Sequence, residues 1–256
     1  MAAPKKSLGQ HWLRDRDVLA DIADEAHIGP DDTVLEIGPG LGTLTSELLR
    51  RAKNVVAVEL DGDLAAKLPG QFPGTALEVV NQDILKFDLR TLPENYVVVA
   101  NVPYYITSKI VKLLTTAANK PRTIVLLIQK EVAERMAAGP GDMSILAVSS
   151  QIYANVRLGA VVPAHLFTPP PKVDSQVVIL DMRDAPLVED DHEKDFFRIV
   201  KAGFIAKRKK LRSSLASGLH ISKPEAEVLL VKHGISPDQR AEDLTLQNWL
   251  DLSRDV

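Results

Sequence analysis

Three separated stretches hold residue types that could bind a nucleoside and act on a neighbouring group: EIGPGLG at 36–42, the acids Glu59 and Asp83, and NVPYY at 101–105. Gly38 and Gly40 let the backbone approach a ligand closely. Their spacing is G-x-G-x-G, with Thr43 where a dinucleotide fingerprint would set its last glycine, which counts against a nicotinamide cofactor. Glu59 closes an apolar run, where a carboxylate can accept both hydroxyls of a ribose, and Asp83 closes the next, in reach of an adenine amino group. Singly, each has a plain reading, since glycines make tight turns and strand-end acids are commonly just solvated. In succession they describe a pocket for adenosine without a pyrophosphate, and S-adenosylmethionine fits it.

Asn101 follows a further apolar run, YVVVA, beside the same pocket. If a methyl group is delivered there, an exocyclic nucleobase amine is a fitting acceptor. Its lone pair is delocalised into the ring, and acceptors aimed at its N–H groups favour a more pyramidal, more nucleophilic nitrogen. Asn101 offers a neutral carbonyl oxygen. Pro103 fixes its own φ and holds Val102 extended, so nearby carbonyls are aimed rigidly. Tyr104 offers a ring face, and base–aromatic stacking is worth about 1–3 kcal/mol, comparable to the cost of unstacking a base. The plain alternative is a rigid turn covered by tyrosines. The chain has no cysteine, so it cannot form the thiolate adduct that methylation at pyrimidine C5 normally needs.

These residues need a scaffold of strand ends. TVLEIG, NVVAVE, ALEVVNQD, YVVVAN and TIVLLIQ read as short buried strands. Helical segments follow most of them, with Thr43 as N-cap of the first. Strands alternating with helices predict an α/β fold with a mostly parallel sheet covered on both faces, and YANVRLGAVV and SQVVILDMR predict a terminal antiparallel hairpin. From 194 onward only helical patterns occur: EKDFFRIVKAGFIAKRKKLRSSLASG as one element, then KPEAEVLLVKHG and TLQNWLDLSRD. The expected domains are 1–184, catalytic and cofactor-binding, and 185–256, helical. With 45% hydrophobic residues a packed core is available. No run nears the ~20 apolar residues that span a bilayer, and the N-terminus carries charges where a signal peptide needs an apolar centre, so a cytoplasmic protein is expected. The six histidines are scattered, and no metal is expected.

LGQHWL, VLEIGPGLGTLT, VVAVELDGDL, NQDILKF, NVPYYITS, FTPPPKVDSQVV and AGFIAKRKKLRSSL occur here in an order that resembles the KsgA/RsmA-type ribosomal RNA small subunit adenine dimethyltransferases, from about Lys5 to Asp251. The resemblance implies a class I, Rossmann-like methyltransferase domain with a small helical C-terminal domain. The implied reaction is transfer of methyl groups from S-adenosylmethionine to N6 of two adjacent adenosines in the 3′-terminal hairpin loop of 16S rRNA, on a late small-subunit precursor. Carried over by motif, His11, Leu13, Gly38, Glu59, Asp83 and Asn101 contact the cofactor. Asn101 and Tyr104, with the Val102–Pro103 backbone, hold the adenine, and Phe167 stacks on its other face. Two departures stand out. His11 replaces the usual Asn of GQNFL, and an imidazole can keep its hydrogen bond. Tyr105 replaces the frequent Asn of NLPYNIS.

Residues 198–212 carry Arg198, Lys201, Lys207, Arg208, Lys209, Lys210 and Arg212 and no acid, although the net charge of the chain is −3. The bland reading is the solvated face of an amphipathic helix with Phe197, Val200, Phe204 and Leu211 inward. The density of cations also predicts contact with RNA phosphates, extended by Lys5, Lys6, Lys109 and Lys112. Two other functions fit the residues: a 23S rRNA methylase of the resistance type, and a non-catalytic subunit assembly factor. A monomer is expected.

Overall fold

The computed structural model describes residues 5, 8–206 and 208–255. In chain order the elements are β1 (Trp12–Leu13), α1 (Arg16–Asp24), β2 (Thr33–Ile37), α2 (Thr43–Leu49), β3 (Asn54–Glu59), α3 (Gly62–Lys67), β4 (Leu77–Asn81), β5 (Val97–Asn101), α4 (Thr107–Thr116), β6 (Thr123–Gln129), α5 (Lys130–Met136), α6 (Ile145–Gln151), β7 (Ala154–Val162), β8 (Phe167–Thr168), β9 (Ser175–Met182), α7 (Glu193–Phe204), α8 (Leu211–Leu219), α9 (Lys223–Lys232) and α10 (Leu246–Ser253).

Seven strands form one sheet in the order β4-β3-β2-β5-β6-β9-β7. The pairs β2–β3, β2–β5, β3–β4 and β5–β6 are parallel, and β9 runs antiparallel to β6. The α/β expectation with a closing antiparallel pair therefore holds. The central strands are apolar at nearly every position because helices cover both faces. Leu35 on one side of β2 and Val34 on the other are both fully buried. Strand order reverses direction at β2–β5, and at such switch points the carboxyl ends open a crevice.

A second, two-stranded sheet pairs Leu13 of β1 with Phe167 of β8. This pairing is not legible in the sequence, since two-residue strands carry no periodicity. It fixes the segment that precedes α1 beside the switch point. Thr43 departs from expectation as well. The N-cap position of α2 is Gly42 at φ +80°, and the Thr43 hydroxyl donates instead to the Leu13 carbonyl at 2.9 Å. A glycine holds that position because a Cβ there would press on Leu68 and Phe72, at 2.7 and 2.9 Å.

By compactness the chain forms two units, one of residues up to 133 with 155–182, the other of 134–154 with 183–255. This division differs from a single cut at 184/185 by the segment 134–154 and by residues 183–184. The segment joins the helical unit because Gly141 and Met143 donate their amides to the Glu242 carbonyl, at 2.8 and 3.2 Å. It also contains α6, a helix the sequence reading lacks, capped by the Ser144 hydroxyl. In this second unit the long helix expected from 194 is two, α7 and α8. The buried face of the first is Phe196, Ile199, Val200 and Phe204, not Phe197. Arg208, Lys209 and Lys210 of the basic run lie in the connection between them. No helix among the described residues is long and apolar enough to cross a membrane.

Candidate active site

The carboxyl ends of β2, β3, β4 and β5 deliver Gly38, Glu59, Asp83 and Asn101 to one cleft. Its lining also takes in His11, Leu13, Gly40, Pro103 and Tyr104, so residues from widely separated segments meet there. Gly38 and Gly40 both have positive φ, 68° and 58°, in the left-handed region that glycine enters without strain.

Glu59 is buried, and each oxygen accepts a backbone amide: Gly40 on Oε2 at 3.0 Å and Asp61 on Oε1 at 2.8 Å. These bonds aim the carboxylate, while its burial pushes the pKa above the ordinary value. Each oxygen keeps a second lone pair for a hydroxyl donor. Asp83 accepts the Leu85 amide on Oδ1 at 3.0 Å, capping a short 3₁₀ turn, and Oδ2 makes no hydrogen bond among the described residues.

The Asn101 side chain donates Nδ2–H to the His11 carbonyl at 3.3 Å, which leaves Oδ1 without a partner among the described residues. His11 in turn bonds the Pro169 carbonyl through Nδ1 at 2.7 Å. A carbonyl only accepts, so Nδ1 carries the proton and Nε2 is the free nitrogen. The His11 ring lies nearly parallel to that of Tyr104, with centroids 6.1 Å apart. The Tyr104 hydroxyl is anchored on Ser175 Oγ at 2.8 Å, and its burial raises its pKa. Hydrogen bonds thus tie the segment at 11 to Asn101 and Pro169, and a separate bond ties Tyr104 to β9.

Phe167 requires a correction. It is 3% exposed, packs in the core with Leu13, Val125 and Val177, and does not line the cleft. Its partner across the short sheet is Leu13, which belongs to the same core cluster. In this structure it packs beside β1 in the core instead of lining the cleft.

The sequence reading gave no role to three features of this site. Glu36, 1% exposed, lies one strand residue before the glycine loop and accepts the Thr45 hydroxyl at 2.6 Å. Burial pushes its pKa up to about 8, with the neighbouring Glu59 charge adding to the rise. An acid inside the apolar run VLEIG was the signal. Second, Asp61 accepts from Lys5 at 2.7 Å and from Gln10 at 3.2 Å, which ties the N-terminal arm to the end of β3. Third, Tyr105 stands exposed at the mouth of the cleft.

The basic stretch belongs to the second unit. Lys210 pairs with Asp238 at 3.0 Å, and Arg212 with Glu227 at 2.8 Å and Asp238 at 3.4 Å. These acids lie beyond the run in sequence, so its lack of internal acids did not reveal them. Arg198 pairs with Asp195 at 3.5 Å. Lys201, Arg208 and Lys209 are exposed and make no ion pair among the described residues. Lys6 and Lys207 lie outside the described residues. Among those described, one trio of possible metal ligands occurs, Glu189, Asp191 and His192, and it is fully exposed.

The model of the ribosomal RNA adenine dimethylase family matches residues 1–255. The ribosomal RNA small subunit methyltransferase A of Dehalococcoides mccartyi (strain CBDB1) is 44% identical over 253 residues, covering 96% of this chain and 86% of its own. The protein of that name from Clostridium botulinum (strain ATCC 19397 / Type A) is 42% identical, covering 97% and 92%. Among solved structures, the 23S rRNA methyltransferase ErmE is similar with a TM-score of 0.79 and 32% identity, covering 95% of this chain and 98% of that one. A dimethyladenosine transferase from Plasmodium falciparum has a TM-score of 0.81 and 27% identity, covering 94% and 96%. A cleft of strand-end acids around a glycine turn, and a family match over almost every residue that builds it, lead to one conclusion: the chain belongs to the ribosomal RNA adenine dimethylase family.

Proposed function

We propose that this chain transfers methyl groups from S-adenosylmethionine to N6 of two adjacent adenosines in the 3′-terminal hairpin loop of 16S rRNA. The substrate would be a late small-subunit precursor in the cytoplasm, and the chain would thereby serve small-subunit biogenesis. The observation that carries the reading is Asn101: its amide nitrogen is held by the His11 carbonyl, and its Oδ1 is left as an aimed acceptor beside Glu59 and the glycine turn.

The residues present fit the donor. Gly38 and Gly40 offer close backbone approach, the Glu59 carboxylate is oriented by two amides and has lone pairs for ribose hydroxyls, and Asp83 Oδ2 is open to an adenine amino group. When bound, S-adenosylmethionine supplies an electrophilic methyl group. His11 and Leu13 border the same space. On the acceptor side, Asn101 Oδ1 and a carbonyl of the Val102–Pro103 turn accept the two N–H groups of the target amine. This localises the nitrogen lone pair for attack. Tyr104, anchored on Ser175, holds the base by its ring face. The nitrogen would take the methyl group as its bond to sulfur breaks, S-adenosylhomocysteine would leave, and the acidic ammonium would give its proton to water, so no strong base is needed.

The identity of 39–44% to proteins named small subunit methyltransferase A, against 32% to a 23S rRNA methyltransferase, favours the small subunit as target. The test incubates the chain and labelled S-adenosylmethionine with small subunits lacking these methyl groups, and separately with naked 23S rRNA, then maps methylated adenosines. Label on adjacent adenosines near the 3′ end of 16S rRNA is expected. Label in 23S rRNA alone overturns the target. Subunit binding without label on either RNA overturns the chemistry and leaves an assembly factor.

A further inference from the structure

Tyr105 is unused by the reading above, and its setting is unusual for a tyrosine. It is 60% exposed, its hydroxyl makes no hydrogen bond among the described residues, and its ring lines the mouth of the acceptor side of the cleft. The ring is nevertheless positioned. Its flank faces Gly9, where a Cβ would come into ordinary van der Waals contact with Tyr105 Cδ1 at 3.4 Å and Pro103 Cβ at 3.6 Å. An exposed aromatic ring flanked by the Gly9 segment, with its neighbour Tyr104 half-buried, is a platform open to solvent.

The surface continues in register. The 3₁₀ turn Tyr104–Ile106 runs into α4, so Tyr105, Ser108, Lys109 and Lys112 follow the i, i+3, i+4, i+7 spacing of one helical face. All four are exposed, while Thr107, Ile110, Val111 and Leu114 take the buried face. Lys109 and Lys112 make no ion pair among the described residues. An open ring beside the target position, then a hydroxyl, then two unpaired cations leading away from it, matches single-stranded nucleic acid: bases stack and phosphates follow a cationic track. A protein partner would more often meet an apolar patch with paired charges at its rim.

We infer that Tyr105 stacks the nucleobase adjacent to the target adenosine, and that Ser108, Lys109 and Lys112 carry the phosphates of the flanking rRNA strand. This rests on the proposed function and adds a surface that positions the RNA. Because two adjacent adenosines are modified in turn, such a platform also holds the second while the first is in the pocket.

The test is steady-state methyl transfer into small subunits lacking the methyl groups, with S-adenosylmethionine affinity measured by calorimetry. Tyr105→Ala should raise the KM for subunits about tenfold. Its kcat should stay within about twofold, and donor affinity should be unchanged. Tyr105→Phe keeps the ring face and should behave as the wild type. Lys109→Gln with Lys112→Gln should also raise KM and reduce the slope of log KM against log salt by about 1.4, at about 0.7 per phosphate contact. A hairpin RNA with 2-aminopurine beside the target should lose fluorescence on the wild type and on Tyr105→Phe, but not on Tyr105→Ala. Unchanged KM in Tyr105→Ala, or Tyr105→Phe as impaired as Tyr105→Ala, overturns the stacking role. A KM effect on subunits with no 2-aminopurine response assigns the surface to a ribosomal protein and likewise overturns it. Failure of the wild type to methylate any small subunit overturns the proposed function itself, which the other outcomes leave standing.

Discussion

Asn101 is held at one end and open at the other, and this asymmetry separates catalysis from binding. Its Nδ2 is engaged by a backbone carbonyl, so truncation removes an aimed acceptor without exposing a charge or opening the core. Asn101→Ala is expected to lower methyl transfer by about 10²- to 10³-fold, the usual loss for one preorganised polar group at a reacting centre. Subunit binding, followed by co-sedimentation, should persist. Loss of both together would make Asn101 a docking residue. The same scale shows why some site residues were legible and others were not. Glu59, Asp83 and Asn101 are polar residues closing apolar runs, and a parallel sheet sends all such positions to one edge. Phe167 carries no such signal. Its type suits stacking or core, and its burial at 3% exposure beside a two-residue strand pairing has no mark in the sequence.

At the scale of elements, β2 and the turn after it combine two stressed features. Glu36 is an acid on a strand with no solvent, and its carboxyl is pushed up to about 8 by burial, from an ordinary 4.5. Between those values the folded chain holds a proton that the unfolded chain has released, so stability falls as pH rises from about 4.5 to about 8. Glu36→Gln abolishes this titration. Its Tm relative to the wild type should therefore climb between pH 5 and pH 8, by the equivalent of a few kcal/mol. A constant difference across that range would show that Glu36 is ionised in the fold. Gly42 is the second feature. Gly42→Ala puts a Cβ at φ +80° against Leu68 and Phe72, and a loss of about 2–3 kcal/mol is expected in urea melts, the αL penalty and the overpacking adding together. The succession of elements was readable because doubly covered strands are continuously apolar and their helices are periodic. Misreadings fell where one residue decides between local alternatives. Thr43 has the chemistry of a cap, yet Gly42 takes the position because only glycine fits between Leu68 and Phe72. The segment 205–210 has helix-forming lysines, yet the chain breaks there into α7 and α8.

At the scale of the whole molecule, charge is the property that composition conceals. A net charge of −3 predicts no attraction to nucleic acid, and the local cation count overstates it, because Lys210 and Arg212 are already neutralised by Asp238 and Glu227. Counterion release depends on cations that meet phosphate, not on cations that meet a carboxylate of their own chain. Lys201, Arg208 and Lys209 are the unpaired members among the described residues of the stretch. Replacing these three by glutamine should flatten log K for subunit binding against log salt by about 2, at about 0.7 per contact. Lys210→Gln with Arg212→Gln should change that slope by less than about 1. The same pair should lower stability by no more than about 1 kcal/mol, the scale of exposed ion pairs. Filter binding across a salt series, with urea melts of the same variants, separates the two sets. If the paired cations flatten the slope as much as the unpaired ones, then RNA draws Lys210 and Arg212 away from Asp238, and the ion pairs are a resting arrangement that RNA binding opens.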